Sequence, residues 1–121
     1  MAKVLVVDDS STVRDEVAGF LKKNGLEVAT AIDGKDGLSK VKAYPGVRLV
    51  VCDVNMPNMD GLTMVEKVRN ELGNKSVNIV MLTTESSPAM KERGKAAGVK
   101  GWIVKPFKGE AVLDTFRKLA S

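Results

Sequence analysis

A chain of 121 residues fits one domain and is long enough to bury a core without disulfides or a structural metal. Its single cysteine allows no internal disulfide. The absence of histidine removes Ser-His-Asp and Cys-His catalysis, histidine-type zinc sites and phosphohistidine chemistry from within the chain. Nineteen basic and 15 acidic residues leave a net charge of +4, mild for a nucleic-acid binder, and one tryptophan with one tyrosine makes no base-stacking platform.

The first apolar run, Lys3–Asp8, predicts a strand that stops on two acids, Asp8 and Asp9. Ser11–Asn24 then carries Val13, Val17, Phe20 and Leu21 at helical spacing, with Gly25 placed to cap its C-terminus. Leu26–Ala31 alternates apolar and polar residues like an edge strand, and Asp33–Tyr44 returns to a helical pattern. The DGKDG that opens this helix lacks the spacing of a calcium loop. Arg48–Asp53 is a continuously apolar strand that ends on a single charge, followed by turn residues and a helix over Leu62–Leu72 with Gly73 as its stop. Cys52, inside that strand, reads as a small buried hydrophobe. Val77–Leu82 is the fourth strand. Ser87-Pro88 is an N-cap and first helical residue for Pro88–Ala97. Lys100–Val104 closes the strands, and Lys108–Ala120 presents Val112, Leu113, Phe116 and Leu119 on one face. Boundaries read in this way hold to about 2–4 residues.

Strict strand–helix alternation implies a parallel sheet covered by helices on both faces. Strands 1, 3 and 4 are apolar throughout and suit the centre. Strands 2 and 5 suit the edges. The expected architecture is α/β, a doubly wound five-stranded sheet ordered 2-1-3-4-5, the flavodoxin-like arrangement. The whole of residues 1–121 is expected to form one domain, with no second domain after the fifth helix.

In such a sheet ligands sit beyond the carboxyl ends of the strands, where the winding reverses, here between strands 1 and 3. Asp8, Asp9 and Asp53 meet at that point. Three like charges at close range repel, and a hard cation relieves them. Oxygen ligands without histidine select Mg²⁺, with Mn²⁺ able to substitute. Strand 4 brings Thr83 and Thr84 to the same rim, and strand 5 brings Lys105. A hydroxyl, an ammonium and a metal together fit a phosphoryl group, and a carboxylate can serve as its acceptor. Asp53, standing apart from the acidic pair, is the candidate.

The motifs VVDDSS, VVCDVNMPNMDG, LTTES and GWIVKPF, each at the matching strand end, resemble the receiver domain of two-component response regulators. The resemblance covers nearly the whole chain and is nearest to the stand-alone, CheY-like class. It implies that Asp53 accepts a phosphoryl group from a sensor histidine kinase. It also implies Mg²⁺ held by Asp9, Asp53 and the Asn55 carbonyl, with Asp8 acting through metal-bound water. Thr83 would bind the phosphoryl oxygen, Lys105 would pair with phosphate or with Asp53, and the Lys105–Pro106 bond would be cis. Trp102 occupies the switch-aromatic position, usually Tyr or Phe. Asn55 and Glu85 occupy the positions that tune phosphoryl lifetime. The implied output is protein–protein, of chemotaxis type, with a flagellar motor switch protein as the target.

Such a protein is a switch rather than an enzyme, with self-directed phosphotransfer and dephosphorylation only. It is expected to be monomeric and cytoplasmic, without nucleic-acid partners and without membrane insertion. The longest apolar runs are far shorter than a span, and MAKVLVVDD does not read as a signal peptide. Two other readings stand beside it. A phosphatase of the haloacid-dehalogenase kind needs a second acid two residues after the nucleophile, where this chain has Asn55. A flavin mononucleotide carrier needs a phosphate loop without acids after strand 1, where this chain has DDSS.

Overall fold

A computed structural model of the chain describes residues 2–121. Five strands, β1 (Val4–Val7), β2 (Val28–Ala31), β3 (Leu49–Cys52), β4 (Asn78–Thr83) and β5 (Gly101–Val104), alternate with five helices. The helices are α1 (Ser11–Lys23), α2 (Gly34–Ala43), α3 (Gly61–Asn70), α4 (Pro88–Ala96) and α5 (Gly109–Leu119). All strand pairs are parallel, in the order β2-β1-β3-β4-β5. The register sets Val7 beside both Ala31 and Cys52, and Cys52 beside Met81. The residues that follow Val7 and Cys52 therefore emerge together at one edge of the sheet.

Successive side chains along a strand point to opposite faces, and this divides the core in two. Leu5, Val7, Val50, Cys52, Ile79 and Met81 pack with Leu62, Met64, Val65 and Val68 of α3. Val4, Val6, Leu49, Val51, Val80 and Leu82 pack with Val17 and Leu21 of α1 and Phe116 of α5. Phe116 is fully buried, and truncating such a side chain to alanine costs about 3–5 kcal/mol. β1 and β3 are buried at every position and β4 at every position after Asn78, which is why their runs are apolar. β2 departs from the expected alternation: its first three residues are half-buried and only Ala31 is buried. Alanine and threonine are too small for the exposed and covered sides of an edge strand to differ sharply.

Most helices start where a side chain satisfies their free N–H groups. Ser10, Asp33, Asp60 and Ser87 accept from the backbone N–H of Val13, Asp36, Thr63 and Met90. α5 begins at Lys108 without such a bond. Gly25 follows the α1 cap at φ +87° and ends that helix as expected. α3 stops earlier than its predicted end: Glu71 is its C-cap, and Gly73 lies two residues further on at φ +66°. Among the described residues no helix is long and apolar enough to cross a membrane.

Candidate functional site

β1 runs out into Asp8 and Asp9, and β3 into Asp53. Each of the three offers a carboxylate oxygen within 4.8 Å of the others. Asp8 and Asp53 are buried, and Asp9 is exposed. β5 supplies the counter-charge. Lys105 Nζ stands 3.0 Å from Asp8 Oδ2 and 3.2 Å from Asp53 Oδ2, bridging the two.

The backbone holds the other oxygen of each buried acid. Ser10 N–H donates to Asp8 Oδ1 at 2.9 Å, and Val54 N–H donates to Asp53 Oδ1 at 2.7 Å. Arg14, one turn into α1, donates to the Asp8 carbonyl at 2.7 Å and fixes the strand end from below.

Burial pushes the Asp8 carboxyl up, and Asp53 adds to this, while the Ser10 N–H and Lys105 pull it down. The net direction is upward. Burial alone would push the Lys105 ammonium down, but Asp8 and Asp53 outweigh it and raise it. An acid held above its ordinary range beside a second buried acid is a site short of positive charge. Lysine supplies one charge. The three carboxylate oxygens, all hard donors with no nitrogen or sulfur among them, fit Mg²⁺ as the second source.

Thr83, the last residue of β4, is fully buried, and its hydroxyl accepts from Glu85 N–H at 3.2 Å. Lys105 N–H donates to the Thr83 carbonyl at 2.9 Å, which ties the ends of β4 and β5 together. Asn55 and Glu85 meet across two loops, Nδ2 to Oε2 at 3.1 Å, at the exposed mouth of the site. Trp102 on β5 is half-buried, and its indole N–H donates to the Glu85 carbonyl at 2.8 Å. Room for the indole comes from α4: a Cβ on Gly94 would stand 3.2 Å from the Trp102 ring. The Lys105–Pro106 bond is cis.

Gly61 explains how α3 starts so close behind Asp53. A Cβ there would stand 1.8 Å from the Asp53 carbonyl oxygen, so no other residue fits. A wide cleft of about 780 Å³ lies away from these residues, between α3, α4 and the start of β4. Its two arginines are already engaged. Arg69 donates to the carbonyls of Asn74, Val77, Ala97 and Gly98, and Arg93 pairs with Glu66. The cleft is thus a structural joint between helices.

Every residue singled out at the strand ends reaches one edge of the sheet. Arg14 escaped the sequence reading, because an arginine one turn into a helix looks like any solvated surface residue until its partner carbonyl is known. Asp33, Gly34 and Asn58 escaped as well, since their pairing is made between two loops far apart in sequence.

The sequence profile of the response regulator receiver domain matches residues 4–117. The chain is 40% identical over 114 residues to the chemotaxis protein CheY of Treponema pallidum, covering 93% of this chain and 78% of that one. Among solved structures it resembles CheY4 of Vibrio cholerae, with 45% identity, 98% of each chain covered and a TM-score of 0.88. It also resembles a chain of the CheX–CheY–BeF₃–Mg²⁺ complex from Borrelia burgdorferi, with 26% identity, 99% and 90% of the chains covered and a TM-score of 0.89. Fold, site geometry and sequence agree, and the chain belongs to the response regulator receiver family.

Proposed function

We propose that Asp53 accepts a phosphoryl group from a sensor histidine kinase in a Mg²⁺-dependent reaction. The observation that carries this reading is Lys105 bridging Asp8 and Asp53 at 3.0 and 3.2 Å beside a third carboxylate. Asp9, Asp53 and the Asn55 carbonyl are the proposed ligands, with Asp8 acting through water. When bound, Mg²⁺ would neutralise charge on the transferring phosphoryl group.

The residues of the chain supply the rest. Val54 N–H orients the Asp53 carboxylate. A carboxylate oxygen of Asp53 attacks phosphorus as the bond from phosphorus to the donor's imidazole nitrogen breaks, and the nitrogen keeps the electron pair. Lys105, already at the rim, exchanges its Asp53 contact for a phosphoryl oxygen. Thr83 releases Glu85 N–H and turns its hydroxyl to another. Asn55 and Glu85 flank the mouth through which water reaches the acyl phosphate, which is where they would set its lifetime. Turnover would be confined to this self-directed transfer and hydrolysis. The second acid that a haloacid-dehalogenase phosphatase needs is absent at Asn55.

Output would leave through protein contacts, of chemotaxis type, with a flagellar motor switch protein as the proposed target. The support is the edge position of β5, with Val104 exposed and Trp102 bonded to the loop after Thr83. A switching Thr83 hydroxyl changes the Glu85 segment, and Trp102 carries that change to the surface.

Intact mass after incubation with acetyl phosphate and Mg²⁺ tests the acceptor. One phosphoryl adduct is expected on the wild type and none on Asp53→Asn or with EDTA. An adduct that survives in Asp53→Asn would overturn the assignment. So would the lack of both an adduct and any fluorescence response of Trp102 to beryllofluoride.

A further inference from the structure

The loop from Val54 to Asp60 leaves Asp53 and returns to α3, closed at its base by Gly61 N–H donating to the Val54 carbonyl at 2.8 Å. Its far side is clipped to the turn that opens α2. Asn58 Nδ2 donates to Asp33 Oδ2 at 2.8 Å, and Gly34 N–H donates to the Met59 carbonyl at 3.1 Å. The approach is so close that a Cβ on Gly34 would stand 2.4 Å from that carbonyl oxygen.

Asp33 is 6% exposed. Its other oxygen accepts from Asp36 N–H at 2.8 Å, so one carboxylate both caps α2 and grips the loop. Asn58 stands at φ +68°, in the left-handed region, where asparagine is among the few side chains tolerated. Asp36 N–H first, and then Asn58, hold the Asp33 carboxyl below its usual range, as expected of an acid kept ionised by its donors.

None of these groups belongs to the acidic trio. They act on the loop that carries Asn55, three residues before Asn58. A loop held in its final shape loses less freedom when a ligand binds, and affinity rises accordingly. We infer that Asp33, Gly34 and Asn58 are positioning residues, clipping the loop after Asp53 to the α2 turn so that it is already shaped for Mg²⁺. This rests on the reading of Asp53 as a Mg²⁺-dependent acceptor.

Calorimetric titration of Mg²⁺ into the full chain tests it, paired with thermal melts in EDTA. Asn58→Gly keeps the left-handed backbone available and removes the amide side chain. Asn58→Asp sets a carboxylate against Asp33. Asp33→Asn keeps a capping oxygen but lacks the second acceptor. Loss of outer partners typically weakens metal binding 10- to 100-fold, and these residues stand further out, so a rise in Kd of roughly 3- to 10-fold is expected for Asn58→Gly. A larger rise is expected for Asn58→Asp, with the EDTA melt of Asn58→Gly close to wild type. Faster amide exchange at Gly34 without metal should accompany both.

A merely structural clip would shift the melts and leave Mg²⁺ affinity untouched. Wild-type affinity in both Asn58 variants would overturn the inference alone. A wild type that takes up no Mg²⁺ would overturn the acceptor reading, and this inference with it.

Discussion

Lys105 stands between two buried acids that would otherwise face each other. One ammonium does not satisfy both, and the Asp8 carboxyl stays above its ordinary value of 3.8. For an acid whose folded pKa is raised, the ionised form opposes folding. The penalty is absent below pH 3.8 and complete above the raised value. Asp8→Asn should therefore raise the melting temperature in metal-free buffer at pH 7. The gain should fade as the pH falls toward 3.8, and melts at the two pH values check it.

Asp8, Asp53 and Lys105 were legible in the sequence because each is the first charged residue after an apolar strand, and strand ends in this topology have a known destination. Asp33 and Asn58 were not, because a hydrogen bond between two loops depends on where the helices carry them. DGKDG read only as a helix opening without the spacing of a calcium loop, and PNMDG as ordinary turn chemistry.

At the scale of elements, α3 holds α4 by two unlike grips. Arg69 donates to the carbonyl of Ala97, the C-cap of α4, in a part-buried bond, and to that of Gly98 in an exposed one. Arg93 meets Glu66 in a two-pronged pair at 2.6 and 2.8 Å, open to solvent, and touches Thr63. The Arg93 pair holds the Glu66 carboxyl below its ordinary 4.5 and raises the guanidinium. A lowered acid stabilises the fold above its unfolded pKa and loses that contribution as pH falls through the folded one. Glu66→Gln should cost less than about 1 kcal/mol at neutral pH and low salt, the ceiling for an exposed pair. The difference should vanish below the lowered pKa and in high salt, as chemical denaturation would show.

The helices were legible from caps and spacing, down to Ser87-Pro88. The α3–α4 pairing was not, since its partners lie 27 residues apart on two surfaces that are polar in any arrangement.

Over the whole molecule, the sheet order was readable because complete burial leaves its mark on the central strands as unbroken apolar runs. The sheet then gathers charges scattered along the sequence at one edge of a chain whose net charge is +4. A cation that binds only the folded arrangement stabilises all of it, by about 2.7 kcal/mol at one hundred times its Kd. Mg²⁺ should raise the melting temperature in a concentration-dependent way. EDTA should reverse this, and Asp9→Asn should blunt it, while an equal ionic strength of NaCl should not reproduce it. Differential scanning calorimetry would read all four.

Cys52 lies directly behind Asp53, fully buried, its Sγ–H directed at the Asp53 carbonyl at 3.2 Å. Burial first, and then the carboxylates of Asp53 and Asp8, push its thiol well above the ordinary range. A thiol so placed is silent toward alkylating reagents while the sheet is closed, because the reactive species is the exposed thiolate. It is the chain's only cysteine. The rate at which it becomes labelled is therefore a stopwatch for the opening of β3, the strand that carries the acceptor. The same silence lets a fluorophore be attached through a cysteine introduced elsewhere, without background from the native one.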